Sequence, residues 1–237
     1  MTTAREIPFQ LGGKTHQGRL VAHEGAPRPT VIVFHAWDGR SEGVDRMAER
    51  VADLGWNTFS ADLYGQGVRG ETVEACQALM TPLLNDRGHL RDLLLGTVTT
   101  VQGLAETDAA RVAAIGFCFG GLCVLDLARA NAPLKAVASF HGLFTPSGLA
   151  AKGPITPKVA AFHGWDDPMA PPESVVAFAA EFTALGADWQ IHGYGGTLHG
   201  FMMEGANNPA LGVAYNPASA RRAFASLTSL LEESLGG

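Results

Sequence analysis

Three side chains with complementary chemistry occur in the order cysteine, aspartate, histidine, each just after a short apolar run. Cys118 lies in Gly116-Phe117-Cys118-Phe119-Gly120-Gly121, Asp167 in Gly164-Trp165-Asp166-Asp167-Pro168, and His199 in Gly195-Gly196-Thr197-Leu198-His199-Gly200-Phe201. G-x-C-x-G-G between a strand and a helix has the form of a nucleophile elbow, in which a sharp turn exposes one side chain above the sheet. A helix N-terminus behind that turn favours negative charge on sulfur, which makes a thiolate. A thiol nucleophile needs a base and a group to orient the base. His199 takes the thiol proton, or holds a thiolate–imidazolium pair, and later returns a proton to the leaving group. Asp167 fixes the tautomer, and Asp166 is the competing orienter. The plainer readings are a small buried cysteine in a glycine-rich turn, a helix-capping aspartate and a hydrogen-bonded loop histidine. For Cys76 and Cys123 packing is the expected role.

These groups need a scaffold that brings distant loops together. Apolar runs at 30–35, 56–61, 111–116, 135–140, 158–162 and 188–194 read as strands, after an N-terminal hairpin at about 5–11 and 17–23. Helical patterns near 42–54, 86–105, 119–130, 173–185 and 218–234 lie between them. This alternation predicts βαβ units in a mostly parallel sheet of about eight strands with helices on both faces, in one domain over 1–237. Runs such as VIVF and VAAIG are apolar at nearly every position, as strands buried on both faces must be. Function is then expected in loops at the carboxyl ends of the central strands.

Composition removes other classes. Of 237 residues, 46% are hydrophobic and 17% charged, which excludes intrinsic disorder. The net charge of −6, with no lysine/arginine run, offers no footprint for nucleic acid or an anionic membrane. No stretch is long and apolar enough to span a bilayer, and MTTAREIPFQ has no apolar signal core, so a cytoplasmic location is expected. Three cysteines without metal-ligand spacing imply neither a disulfide scaffold nor a metal site, and no cofactor is expected. GFCFGG does not match the G-x-G-x-x-G dinucleotide fingerprint.

The chain resembles the dienelactone hydrolase family of α/β-hydrolases over nearly its whole length. G-F-C-F-G-G is similar to the family's cysteine elbow, Ala61-Asp62-Leu63-Tyr64-Gly65 to its D-L-Y-G segment, G-W-D-D-P-M-A-P to its acid loop and L-H-G-F to its histidine loop. The resemblance implies an α/β-hydrolase fold with Cys118, Asp167 and His199 as the triad. It implies an oxyanion hole from the main-chain N–H groups of Phe119 and, by position, Trp37. Two departures stand out. The family's glutamate before the oxyanion residue is Ala36 here, which leaves activation of Cys118 to His199, the helix terminus, or a neighbour such as His35 or Asp38. The arginine four residues after the histidine, which holds a substrate carboxylate, is Met203; Arg87 and Arg91 are the alternative charges, although an exposed helical face suits them better.

A pocket built from Trp37, Tyr64, Phe119, Leu198, Phe201, Met202 and Met203, beside Ala36, would be apolar and aromatic, with Tyr64 as its polar contact. The expectation is a hydrolase of neutral hydrophobic esters or lactones, with a neutral phosphotriester as second substrate. Hydrolysis of dienelactone itself and a non-catalytic receptor are the alternatives. Monomer and homodimer both remain open.

Overall fold

The computed structural model describes residues 2–151 and 153–236. Its centre is an eight-stranded sheet of β1 (Thr2–Leu11), β2 (Lys14–His23), β3 (Arg28–Phe34), β4 (Asn57–Ser60), β5 (Thr107–Phe117), β6 (Ala136–Phe140), β7 (Lys158–Gly164) and β8 (Trp189–Tyr194). The spatial order is β1-β2-β4-β3-β5-β6-β7-β8. The hairpin joins antiparallel at one edge, and every later pair from β4 to β8 is parallel. This is the layered α/β architecture expected from the alternation of runs, and the α/β-hydrolase fold that the resemblance implies.

Composition explains the arrangement. Val31, Ile32, Val33 and Phe34 of β3 have no exposure at all, and β4 and β6 are buried throughout. Such strands alternate contacts between two cores. One face carries Phe34, Phe59, Leu94 and Phe178 under α2 (Val73–Asn85), α3 (Arg87–Gln102), α4 (Phe119–Arg129) and α5 (Pro172–Ala184). The other carries Phe117, Phe140 and Phe162 under α1 (Glu42–Ala52) and α6 (Pro217–Leu235). Every residue of α4 is buried, which accounts for its lack of a polar face.

The sequence reading missed α2. Only Cys76 and Leu83 of this helix are buried, and Pro82 interrupts its last turn, so neither apolar periodicity nor propensity marks it. It also missed β9 (Asn207–Asn208) and β10 (Val213–Ala214), a small hairpin after β8. Strand order reverses between β3 and β5. Their carboxyl ends therefore open a crevice where loops diverge.

Candidate active site

Cys118 ends β5 and precedes α4, with φ 54° and ψ −113°. Non-glycine residues avoid this region, and strain of this kind gathers at functional turns. Its N–H donates to Phe140 O (3.0 Å), which fixes the turn against β6. Gly116 and Gly120 are required by close approach. A Cβ on Gly116 would strike the backbone of Gly120, and one on Gly120 the carbonyls of Phe34 and His35. Cys118 stays half-buried while Cys76 and Cys123 are buried, and all three are free thiols. The expected packing of the latter two matches their environment, and burial pushes both thiols up.

Asp167 and His199 come from the loops after β7 and β8. His199 Nδ1–H donates to Asp167 Oδ2 at 2.7 Å, and both residues are buried. The carboxylate is oriented by its own turn, where Met169 N–H donates to Asp167 Oδ1 (2.8 Å). Asp166, the competing orienter, is exposed and contributes only its N–H, to Thr197 O. Burial alone would lower the His199 pKa, but the Asp167 hydrogen bond and the nearby Cys118 sulfur push it up to about 10. Nε2 has no hydrogen bond of good geometry among the described residues, while the sulfur lies near enough to raise the proton affinity of the ring.

This raised value has a consequence for stability. The folded state holds the His199 proton up to about 10 and the unfolded chain only to the ordinary 6.5. The stabilisation is thus fully present below 6.5 and is lost as pH rises toward 10. Asp167→Asn is expected to flatten that alkaline loss; thermal midpoints of both proteins between pH 7 and 10 check it, and parallel curves would refute it.

His141 and His163 were not singled out in the sequence, because a lone histidine after an apolar strand carries no motif. Both are buried with unpartnered ring nitrogens, and burial holds both below the ordinary value. His141 stands edge-to-face with His199, ring centres 5.0 Å apart, and shares the left-handed backbone of Cys118 (φ 38°).

The third expected group, the oxyanion loop, follows β3. Among the described residues no backbone acceptor takes the N–H of Trp37 or Phe119. Tyr64 O–H donates to Trp37 O (3.0 Å), which makes this side chain a strut beneath the loop. Asp62 in turn accepts the N–H groups of Tyr64 and Gly65 through Oδ1 and of Gln17 through Oδ2, all at 3.0 Å. His35 Nδ1–H donates to Ala36 O (2.6 Å) and its Nε2 accepts Leu63 N–H (3.2 Å). With both nitrogens engaged, His35 is scaffold and not an activator of the thiol.

The expected apolar pocket is corrected in part. A cavity of about 580 Å³ is lined by Ala36, Phe117 of the elbow, Met202 and Met203, whereas Cys118, Asp167 and His199 are not among its lining residues. Trp37, Tyr64, Phe119, Leu198 and Phe201 do not line it either, and Phe119 and Phe201 are core residues with no exposure. Local backbone direction, which spacing does not reveal, turned these rings inward. The cavity is also more charged than expected, with Arg46, Arg50 and Arg69 facing it alongside Asp38, Glu42 and Glu204. Arg87 is not on an exposed face: it is buried and forks onto Asp126 (2.7 and 2.8 Å). Arg91 pairs with its neighbour Asp92, and neither arginine reaches the cavity.

Known proteins agree with this architecture. The solved structure m3DLH superposes with a TM-score of 0.94 at 33% identity, covering 99% of each chain. The dienelactone hydrolase-like promiscuous phosphotriesterase P91, from metagenomic libraries, gives 0.91 at 31% identity, again over 99% of each. A relative from Synechocystis, named "Putative carboxymethylenebutenolidase", is 27% identical over 87% of each chain. The chain spans about half the length of two further curated relatives it matches, 53% and 55%. No helix among the described residues is long and apolar enough to cross a membrane. The sequence profile of one family of hydrolases matches residues 17–235, and with this coverage the chain belongs to the dienelactone hydrolase family.

Proposed function

We propose that the protein hydrolyses carboxylic esters or lactones with Cys118 as nucleophile, His199 as acid/base and Asp167 as orienter. The observation that carries this reading is the half-buried sulfur on a strained turn beside an imidazole bonded at 2.7 Å to a buried carboxylate. The Cys118 thiolate attacks the acyl carbon, and the oxygen that becomes negative is held by the N–H groups of Phe119 and Trp37. Each such donor contributes about 3 kcal/mol in comparable sites. The tetrahedral intermediate collapses, the C–O bond breaks, and His199 Nε2–H protonates the departing oxygen. Neutral His199 then takes a proton from water, whose oxygen attacks the thioester. The new tetrahedral intermediate collapses with cleavage of the C–S bond, the acid leaves, and the proton taken from water stays on His199, which restores the thiolate–imidazolium pair. Side chains and main-chain amides suffice, so the scheme uses no cofactor or metal.

Ala36, Phe117, Met202 and Met203 line the cavity that Phe117 joins to the elbow, and they favour an apolar portion of substrate, which neutral esters and lactones supply. The likeness to P91 supports a second activity on neutral phosphotriesters, in which the thiolate displaces an aryloxide at phosphorus and water later cleaves the S–P bond.

Titration with a chromogenic ester and a chromogenic phosphotriester, followed by mass spectrometry of the Cys118 peptide, tests both. Turnover of the ester with a transient acyl mass on Cys118 is expected. Covalent mass on another residue would overturn the assignment of Cys118, and equal, negligible release by the wild type and Cys118→Ala would overturn the reading in favour of a receptor. A phosphotriester burst without turnover would remove the second activity alone.

A further inference from the structure

Between His199 and α6 the chain makes an excursion over residues 200–216. β9 and β10 pair antiparallel across a 3-10 turn at Pro209–Leu211, and most of residues 203–211 are exposed. Thin, exposed hairpins have little packing of their own. This one nevertheless grips the candidate base by its backbone. His199 N–H donates to Gly212 O (2.9 Å), and Ala214 N–H donates to His199 O (3.0 Å). Gly212 also abuts the loop of the candidate acid: a Cβ built there would run into the ring of Pro168, the residue after Asp167. Its φ of 73° independently disfavours an L side chain.

A single residue thus touches both loops, through its carbonyl on one side and its bare Cα on the other. The other side of the pair is bridged by Asp166 N–H donating to Thr197 O (3.0 Å). Within each loop the orientation is settled locally, by Met169 N–H on the carboxylate and by the carboxylate on the ring. The separation of the two loops is held on the sheet side by the close approach of Gly164 to the carbonyls of Thr197 and Leu198, and on the hairpin side by Gly212. We propose that Gly212 is a positioning residue that sets this separation on the hairpin side, clamping the His199 loop to the Asp167 loop through its contact with Pro168. The inference rests on the proposed roles of His199 and Asp167 in hydrolysis, although the clamp itself is a statement about geometry.

The test uses Gly212→Ala, Pro168→Ala and the double variant in the full chain. Pro168→Ala removes the ring atoms that the new Cβ would meet, so the double variant regains the space. Displacements of about 1 Å at reacting groups cost up to about a hundredfold in rate. Gly212→Ala is therefore expected to lose ten- to about a hundredfold in kcat/KM on a p-nitrophenyl ester, and the double variant to recover most of it. Gly212→Asn, which tolerates left-handed backbone but carries the same Cβ, separates crowding from strain and replaces Gly212→Ala if that chain does not fold.

The second readout is the NMR titration of the His199 ring. The titratable groups facing that ring are Asp167, Cys118, His141 and His163, none of them on the hairpin. A downward shift in Gly212→Ala, reversed in the double variant, is expected. Unchanged titration in Gly212→Ala and Gly212→Asn, or a double variant no better than the single, would overturn the clamp. If wild type hydrolyses no ester, the functional reading fails while the ring titration still decides the clamp. If the wild type is active and Gly212→Ala matches it, the clamp fails alone.

Discussion

Cys118→Ala is expected to lower kcat/KM on a p-nitrophenyl ester by about 10³- to 10⁶-fold, the range found when a nucleophile is removed from a comparable triad. The substitution changes little else. Alanine occupies the same left-handed turn (φ 54°), and the N–H groups of Trp37 and Phe119 are main-chain donors that no side-chain replacement deletes. A residual rate above that of water is therefore expected from the oxyanion donors alone. His199 should also lose part of its raised proton affinity, since the sulfur contributes to it. Ring titration by NMR in the variant checks this second effect. Retention of more than about a tenth of wild-type turnover is incompatible with the roles proposed for the three side chains.

Asp126→Ala is expected to destabilise the fold by about 3–5 kcal/mol without touching the site, because it strands charges inside the protein. Asp126 is 3% exposed and receives Arg87 from α3 through two bonds and Arg129 from its own helix at 3.1 Å. Arg129 retains a fork onto Glu181 of α5 (2.7 and 2.8 Å), so the main loss falls on Arg87. Urea unfolding measures the effect, and for a chain of this size the thermal midpoint should fall by roughly 6–20 °C. The contrast is the exposed pair Arg46–Glu42 at 3.5 Å, whose removal should cost under about 0.5 kcal/mol. A fall below about 1 kcal/mol for Asp126→Ala would show that water reaches the cluster.

Much of this was legible in the chain because it depended on local rules. Buried strands announce themselves as unbroken apolar runs, and the glycines flanking Cys118 mark a crossing too tight for side chains. The choice of Asp167 over Asp166 came from the likeness of G-W-D-D-P-M-A-P to the family's acid loop; in the structure Asp167 is buried and bonded to His199, while Asp166 is exposed. Other features depend on three-dimensional accidents that spacing does not encode. Whether Phe119 or Phe201 faces a ligand is decided by the direction of one turn, and both ended in the core. Arg87 reads as an exposed helical cation until Asp126 is placed beneath it. The β9–β10 hairpin has two-residue strands, too short for any periodicity, yet it holds the backbone of His199.

The elbow and the cavity that Phe117 joins to it differ in tolerance. Gly116 and Gly120 of the turn admit no added atom, whereas Arg69, Met203 and Glu204 on the cavity wall are exposed side chains. In the proposed reading, reactivity and selectivity therefore rest on different residues. Surface mutation can then exchange one substrate for another, while the crossing of two backbones holds the sulfur's surroundings fixed.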